Sequence, residues 1–323
     1  MRPWPTKPLP KPTSPRVTLN FLSFQSRTNN SAAPLLFAVF IAAHLVALFA
    51  FLRFVFPWTW QQQLSSGFMG IALTCLACNL VFCFGEFFFH RYLLHIDSVK
   101  ILAKLCYSHR AHHKLTSIRF DDRDNAVRSA YPIVDVDHDD SATFPPYALL
   151  LFFAFWTPFF AVTVFSFPKF PLLIAGYTAL AIAHFLYETL HVLHHTPYEQ
   201  WWRRRIDGPI FGKVWHKMYG FHQGHHANYH CNMNIAGFFG LPLADLVLGT
   251  YKQPHTLLID GAPASKSAAR ALTPTPRWPV SALDRAVIKR RARMKKEDAR
   301  RAARQRQPAK RPLASPTVDM LDT

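Results

Sequence analysis

The amino-acid sequence predicts an all-α membrane protein: four transmembrane helices in two hairpins, with a cap of further helices on one side. Three observations carry that expectation. Half of the residues are hydrophobic, and they gather in four blocks, 34–56, 64–89, 145–167 and 171–190. Each block is close to the ~20 residues that a membrane helix requires. The 37 Lys and Arg, which outweigh 19 Asp and Glu to give a formal charge of +18, lie almost wholly outside the blocks. Histidines cluster where the polar stretches adjoin the blocks.

Residues 1–33 are rich in Pro, Ser, Thr and Asn with scattered Lys and Arg, the composition of a disordered basic tail. The apolar block after it is too long for the core of a cleaved signal peptide. Residues 34–255 form the membrane domain with its cap. The first span ends beside Trp58 and Trp60, aromatics suited to the membrane interface, and residues 57–63 read as a short turn to the second span. His44, alone inside the first span, is expected to be a satisfied polar residue facing other helices. Residues 96–144 are polar, with seven aspartates between Asp121 and Asp140; these lack the spacing of a calcium loop and read as a solvated loop or lid that includes His138. The third and fourth spans are joined by a turn at residues 166–170. Trp201-Trp202-Arg-Arg-Arg205 is an interfacial signature, and 228–250 reads as a capping segment with turns marked by Gly and Pro. Residues 256–323 are a basic, largely disordered tail that includes a helical basic run at 282–306. That run lacks the features of a nucleic-acid module, so its expected partner is an anionic lipid surface, shared with the N-terminal tail.

Orientation follows from the cations. The two turns hold only Lys169 between them, whereas the other side holds nearly all the rest. The positive-inside rule therefore places both termini and the cap in the cytoplasm, for a multi-pass protein of the inner membrane if bacterial or the endoplasmic reticulum if eukaryotic. The five Cys make no disulfide framework: Cys75, Cys78 and Cys83 sit inside an apolar block, where Cys behaves as a small hydrophobe.

The cap carries the chemistry. Its histidines stand as His90-Arg-Tyr-Leu-Leu-His95, His109-Arg-Ala-His112-His113, His191-Val-Leu-His194-His195 and His222-Gln-Gly-His225-His226. Neutral imidazole ligates iron, zinc and copper, and residues three and four apart share a helix face. His109, His112 and His113 thus point one way from one helix, as do His222, His225 and His226, and His191 pairs with His195. His90 and His95 are five apart, about 140° out of phase on a regular helix, so that helix is expected to end or bulge between them. Ten such imidazoles exceed the shell of one ion, which predicts a cytoplasmic, His-rich dimetal site. Glu86, one turn before His90, is a carboxylate near a span end. It is expected to accept a hydrogen bond from an imidazole, outside the ligand shell.

These motifs resemble the fatty acid hydroxylase/sterol desaturase superfamily of membrane di-iron oxygenases, and within it the fatty acid 2-hydroxylases. The resemblance rests on Glu86 followed by His90…His95, on His109-x-x-His112-His113-Lys114, and on Phe144-Pro-Pro146 opening the third span. Tyr187-Glu-Thr-Leu-His191 leading to His195, and His222-x-x-His225-His226, continue it; Asn228…Pro242-Leu-Ala-Asp245…Gly249-Thr250 resembles the end of the family's domain. It covers residues 68–251. It implies ten ligands, His90, His95, His109, His112, His113, His191, His195, His222, His225 and His226. It also implies two iron ions (replaceable by zinc on purification) and O2 as co-substrate. Glu86, His194, Tyr187 and Glu188 are expected around them, with His184, His216 and His230 as further outer candidates. The chain departs from the family in a longer, acidic segment before Phe144, in Glu188 where Asp is usual, and in lacking a fused haem domain. The implied electron donor is therefore a separate cytochrome b-type haem protein or ferredoxin. The implied activity is hydroxylation of a lipid acyl chain, of a fatty acid or a sphingolipid-like substrate. The alternatives are desaturation, or oxidation of a sterol, carotenoid or other isoprenoid, and, outside enzymes, a metal transporter or sensor.

Overall fold

A computed structural model describes residues 33–96, 102–121, 125–134, 143–145, 147–263 and 266–306. The tail before residue 33, six of the seven aspartates of the 121–140 segment together with His138, Pro146 and the end of the C-terminal tail lie outside the described residues. The chain divides into two units, Met1–Thr275 and Pro276–Thr323.

The larger unit is mostly helical, and four of its helices are long and apolar enough to cross a membrane. α1 (Ala33–Val55) is followed by the short α2 (Pro57–Leu64) and by α3 (Gly67–Phe89). α5 (Ala148–Ser166) and α6 (Leu172–His194) are the other two long helices. Residues 57–63, expected to be a turn, are therefore helical: Pro57 occupies the first helical turn, where its missing N–H costs nothing and its fixed φ suits the helix.

α6 is the central helix and packs against α1, α3 and α5. Its partners meet it through one apolar cluster that includes Phe37, Ile41, Phe82, Phe153, Phe160 and Tyr177. Gly176 lets α5 approach, since a Cβ there would come within 2.7 Å of the Phe160 ring; small residues serve this end in membrane helices. At the ends of these helices away from the histidines, the buried side chain of Gln63 ties the two connections together. Its Nε2 donates to the carbonyls of Pro168 at 2.8 Å and Phe170 at 2.7 Å, and its Oε1 accepts from the N–H of Leu173 at 2.8 Å.

At the other end α3 runs into a π-helical turn, His90–Leu94, closed by an i→i+5 bond from the N–H of His95 to the carbonyl of His90 at 3.2 Å. The wider turn is the bulge that the five-residue spacing called for. Beyond it come α4 (Ala103–Leu115), the strands β1 (Ile118–Asp121) and β2 (Ala126–Ser129), α7 (Arg203–Ile206), α8 (Gly212–Ala227), α9 (Leu243–Leu248) and α10 (Lys266–Ala271).

The antiparallel pair β1–β2 departs from an all-α expectation. β1 alternates in sequence and Val127 of β2 pairs with Phe120, so that Ile118 and Val127 are buried while Arg119 and Arg128 face outward, the pattern of a hairpin with one covered face. A second apolar cluster joins this hairpin to Tyr131, Trp202, Tyr219, Leu258 and Leu272. Leu257, Leu258, Ala262 and Leu272 thus pack into the larger unit, which extends to Thr275, whereas the sequence analysis sets the boundary at 255 and assigns them to the tail. The described part of the smaller unit contains α11 (Val280–Arg306), a helix over the basic run.

Candidate metal centre

Four helical segments deliver the histidines to one place. The π turn supplies His90 and His95, α4 supplies His109, His112 and His113, the end of α6 supplies His191 and His195, and α8 supplies His222, His225 and His226. Nearly all these rings are buried. They sort into two groups with metal-ligand spacing, His90/His95/His109/His113/His225 and His112/His191/His195/His226. His222 stands against the second, its Nε2 3.1 Å from that of His195 and 3.2 Å from that of His226. The three histidines of α4 do share a face, but it serves both groups: His109 and His113, four apart, join the first and His112 the second. α8 likewise gives His225 to the first and His226 to the second. The groups adjoin where the rings of His113 and His226 stack, their centroids 4.2 Å apart.

The nitrogen spacing fits a metal. In the first group Nε2 atoms lie 3.0 Å apart for His90–His109, 3.3 Å for His95–His109, 3.1 Å for His109–His113, 3.2 Å for His95–His225 and 3.1 Å for His113–His225. In the second group His112 and His195 stand 3.1 Å apart. Ligands about 2.0–2.1 Å from one ion, at ordinary coordination angles, are about 2.9–3.4 Å from each other.

The opposite ring nitrogens explain why the Nε2 lone pairs face inward. His90 Nδ1 donates to the carbonyl of Met233 at 2.5 Å and His225 Nδ1 to that of Cys231 at 2.8 Å. His195 Nδ1 donates to the carbonyl of Tyr131 at 2.9 Å. His226 Nδ1 donates to Thr116, whose Oγ1 is 3.0 Å and carbonyl 3.2 Å away. An Nδ1–H held by a carbonyl fixes the tautomer and leaves Nε2 as a bare acceptor. Several bare acceptors aimed at one point repel each other, and a cation relieves that repulsion. Burial, reinforced by the neighbouring imidazoles, holds the rings of His95, His109, His113, His195, His222, His225 and His226 well below the usual imidazole pKa. They are neutral at physiological pH, the form that binds metal. The donor set is all nitrogen, which suits iron, zinc or copper and disfavours calcium or magnesium.

Of the residues expected around the ligands, Tyr187 and His194 adjoin the histidines, with ring centroids 5.6 Å from His191 and 4.9 Å from His222, and Glu86 is placed differently. Among the described residues Glu86 accepts its hydrogen bonds from the chain at 234–237 and not from an imidazole. Its Oε1 accepts the backbone N–H groups of Ile235 at 2.5 Å and Ala236 at 3.0 Å, and its Oε2 that of Gly237 at 2.8 Å. Three backbone donors satisfy a carboxylate as well as a ring N–H would, and the chain at 235–237 reaches it first. Glu188 accepts the N–H of Phe144 at 3.0 Å, fixing the chain before α5. His194 stands outside both groups, its ring stacked on Trp202. His184 sits among Phe37, Phe144 and Phe152, and His44 bonds the carbonyl of Phe40 in its own helix at 2.8 Å. His216 is only partly buried. His230 contributes its carbonyl, which accepts from Arg91 at 2.7 Å.

Sequence reasoning missed the carbonyls of Thr116, Tyr131, Cys231 and Met233, because a main-chain acceptor leaves no side-chain signature. It gave no role to Asp245, whose carboxylate accepts the N–H groups of Met233 at 2.9 Å and Asn234 at 2.8 Å and the hydroxyl of Thr250 at 2.6 Å. A lone carboxylate in the apolar run Leu243–Leu248 was the available signal.

One cleft reaches both groups. It is lined by Leu94, Leu105, Ser108, His109, Thr143, Phe144, Tyr187 and His191, so His109 of the first group and His191 of the second share its wall. Comparison of the chain with models of protein families, with curated proteins and with solved structures finds no match in any of the three.

Proposed function

We propose that the protein is an O2-dependent lipid hydroxylase of the membrane, with two irons held by the two histidine groups. The observation that carries this reading is the position of the cleft. It opens on one histidine from each group; Leu94, Leu105 and Phe144 give it an apolar wall, and Tyr187 and His191 bring in the end of α6. A lipid acyl chain lying along that wall would reach the histidines with its apolar surface covered, which suits a long apolar substrate. The resemblance to fatty acid hydroxylases noted from the histidine motifs points the same way.

When bound, the iron pair would supply the activation of O2 needed to oxidise an unactivated C–H bond. The chain's own part is positioning and exclusion. The Nδ1 anchors on carbonyls hold His90, His195, His225 and His226 ready to ligate, so little reorganisation accompanies metal binding. Leu94, Leu105 and Phe144 keep water from the reacting carbon, and Tyr187 at the cleft wall can donate a hydrogen bond to an oxygen held there. No carboxylate lies in either group among the described residues.

In this reading the cations on the histidine side face the cytoplasm, both termini included, and a separate electron donor, a cytochrome b-type haem protein or a ferredoxin, serves the site from there. The basic tails lie against anionic lipid. A metal transporter would hold its ions near the middle of the spans; these histidines gather at and beyond the helix ends. The test is mass spectrometry of lipids from cells with and without the chain. Gain of one oxygen atom on an acyl chain is the expected result. Loss of two hydrogens would make the enzyme a desaturase, an oxidised sterol or carotenoid would change the substrate class, and an unchanged lipid profile would overturn the reading.

A further inference from the structure

Two rings of each histidine group set their Nδ1 on a backbone carbonyl of the described residues, and the two pairs of carbonyls come from different pieces of chain. In the first group His90 and His225 lean on Met233 and Cys231, both in the strap 231–237. In the second group His195 and His226 lean on Tyr131 and Thr116, which flank the β1–β2 hairpin at its open end. His225 and His226 are sequence neighbours, yet they take their anchors from opposite systems.

The strap is fixed by two carboxylates from two helices, the buried Asp245 and the half-buried Glu86. Five successive backbone N–H groups, of Met233, Asn234, Ile235, Ala236 and Gly237, all end on Asp245 or Glu86. The side chain of Asn234 closes the gap between the two, donating to the carbonyl of Cys83 at 2.8 Å and accepting from the N–H of Ala244 at 3.2 Å. Gly237 has φ +53°, and a Cβ there would lie 2.3 Å from the carbonyl oxygen of Leu241, so the tight turn out of the strap requires glycine. The peptide whose carbonyl orients His90 thus follows directly on an N–H held by Asp245. Neither carboxylate touches an anchor of the second group.

We infer that Glu86 and Asp245 are positioning residues for one metal position only, that of His90, His95, His109, His113 and His225, and that Thr116 serves the other. The inference rests on the reading of both groups as metal sites. Both oxygens of each carboxylate accept an N–H, so Asp245→Asn or Glu86→Gln sets an NH2 against a backbone N–H whichever way the amide turns. The strap then shifts, and with it the carbonyls that aim His90 and His225. Loss of an outer partner of this kind lowers metal affinity about 10- to 100-fold.

The test titrates full-length purified protein with Zn2+ against a chromophoric chelator, in two backgrounds. His112→Ala impairs the second group and spares the first; His109→Ala does the reverse. Asp245→Asn is expected to weaken the zinc remaining in His112→Ala by about 10-fold or more and to leave that in His109→Ala within about twofold. Glu86→Gln, at the other end of the strap, is expected to repeat this pattern, and Thr116→Val, which removes the Oγ1 that accepts from His226 Nδ1 at 3.0 Å, to invert it. Equal loss in both backgrounds would overturn the inference, because the strap would then be a general structural support; no loss in either would overturn it as well. Parent protein that takes up no zinc would instead bring down the metal reading itself.

Discussion

The spanning half of the molecule and the histidine half are built on opposite rules. In the spans, large side chains such as Phe68, Val162 and Phe165 stand outward with little protein around them, and shape at a few contacts, Phe160 on Gly176 among them, decides the packing. In the histidine half many polar side chains are buried, the clustered imidazoles and Asp245 among them, and an unmet buried donor or acceptor costs about 1–3 kcal/mol. The difference teaches where mutation is tolerated. A lipid-facing residue can change within its hydrophobic class, whereas a clustered imidazole cannot.

The sharpest way to break this contrast is to remove a histidine. His112→Ala or His225→Ala should cost at least about 100-fold in product formation, with loss of metal, measured by lipid analysis and elemental analysis of the same preparation. His44→Ala and His255→Ala, outside the groups, should change neither. A second effect appears only in metal-free protein. Burial keeps the clustered imidazoles uncharged when folded, with pKa values below those of the unfolded chain, so the unfolded state takes up protons first as pH falls below about 6.5. Stability should be complete above that pH and decline below it, by up to about 1.4 kcal/mol per pH unit for each such ring. The melting temperature of metal-stripped protein should therefore fall between pH 7 and pH 5, while a flat profile would mean that the rings are not shielded from water.

Smaller effects belong to the spanning half. Gln63→Leu strands the N–H of Leu173 and two carbonyls at the junction of the connections, and a loss of about 1–3 kcal/mol is expected with the metal content untouched, read by thermal unfolding in detergent. Phe165→Leu, at a position 91 % exposed, should fall within about 0.5 kcal/mol of the parent. If Phe165→Leu costs as much as Gln63→Leu, that face of α5 packs against something other than lipid.

The sequence made these two halves unequally legible. Apolar blocks of span length and helix-face histidine spacing are local patterns, and α1, α3, α5, α6, α4 and α8 all stand where those patterns lie. The five-residue step from His90 to His95 was legible as a departure from helical phase, and it appears as the π turn. What stayed hidden depends on contacts between residues far apart in sequence. The split of α4 and α8 between two groups arises from how four segments converge, and no single segment encodes it. Glu86 was recognisable as a carboxylate needing donors, but its donors are main-chain N–H groups some 150 positions away. The β1–β2 hairpin did carry a local signal, alternation over the four residues of β1, too short to stand out beside a run of aspartates.

The central claim is that the two histidine groups hold two metal ions in one chain, and counting the metal tests it most directly. Elemental analysis of full-length protein purified from its membrane without chelators should give about two ions per chain. Protein that is active on lipid with one ion per chain, or with none, would contradict the account.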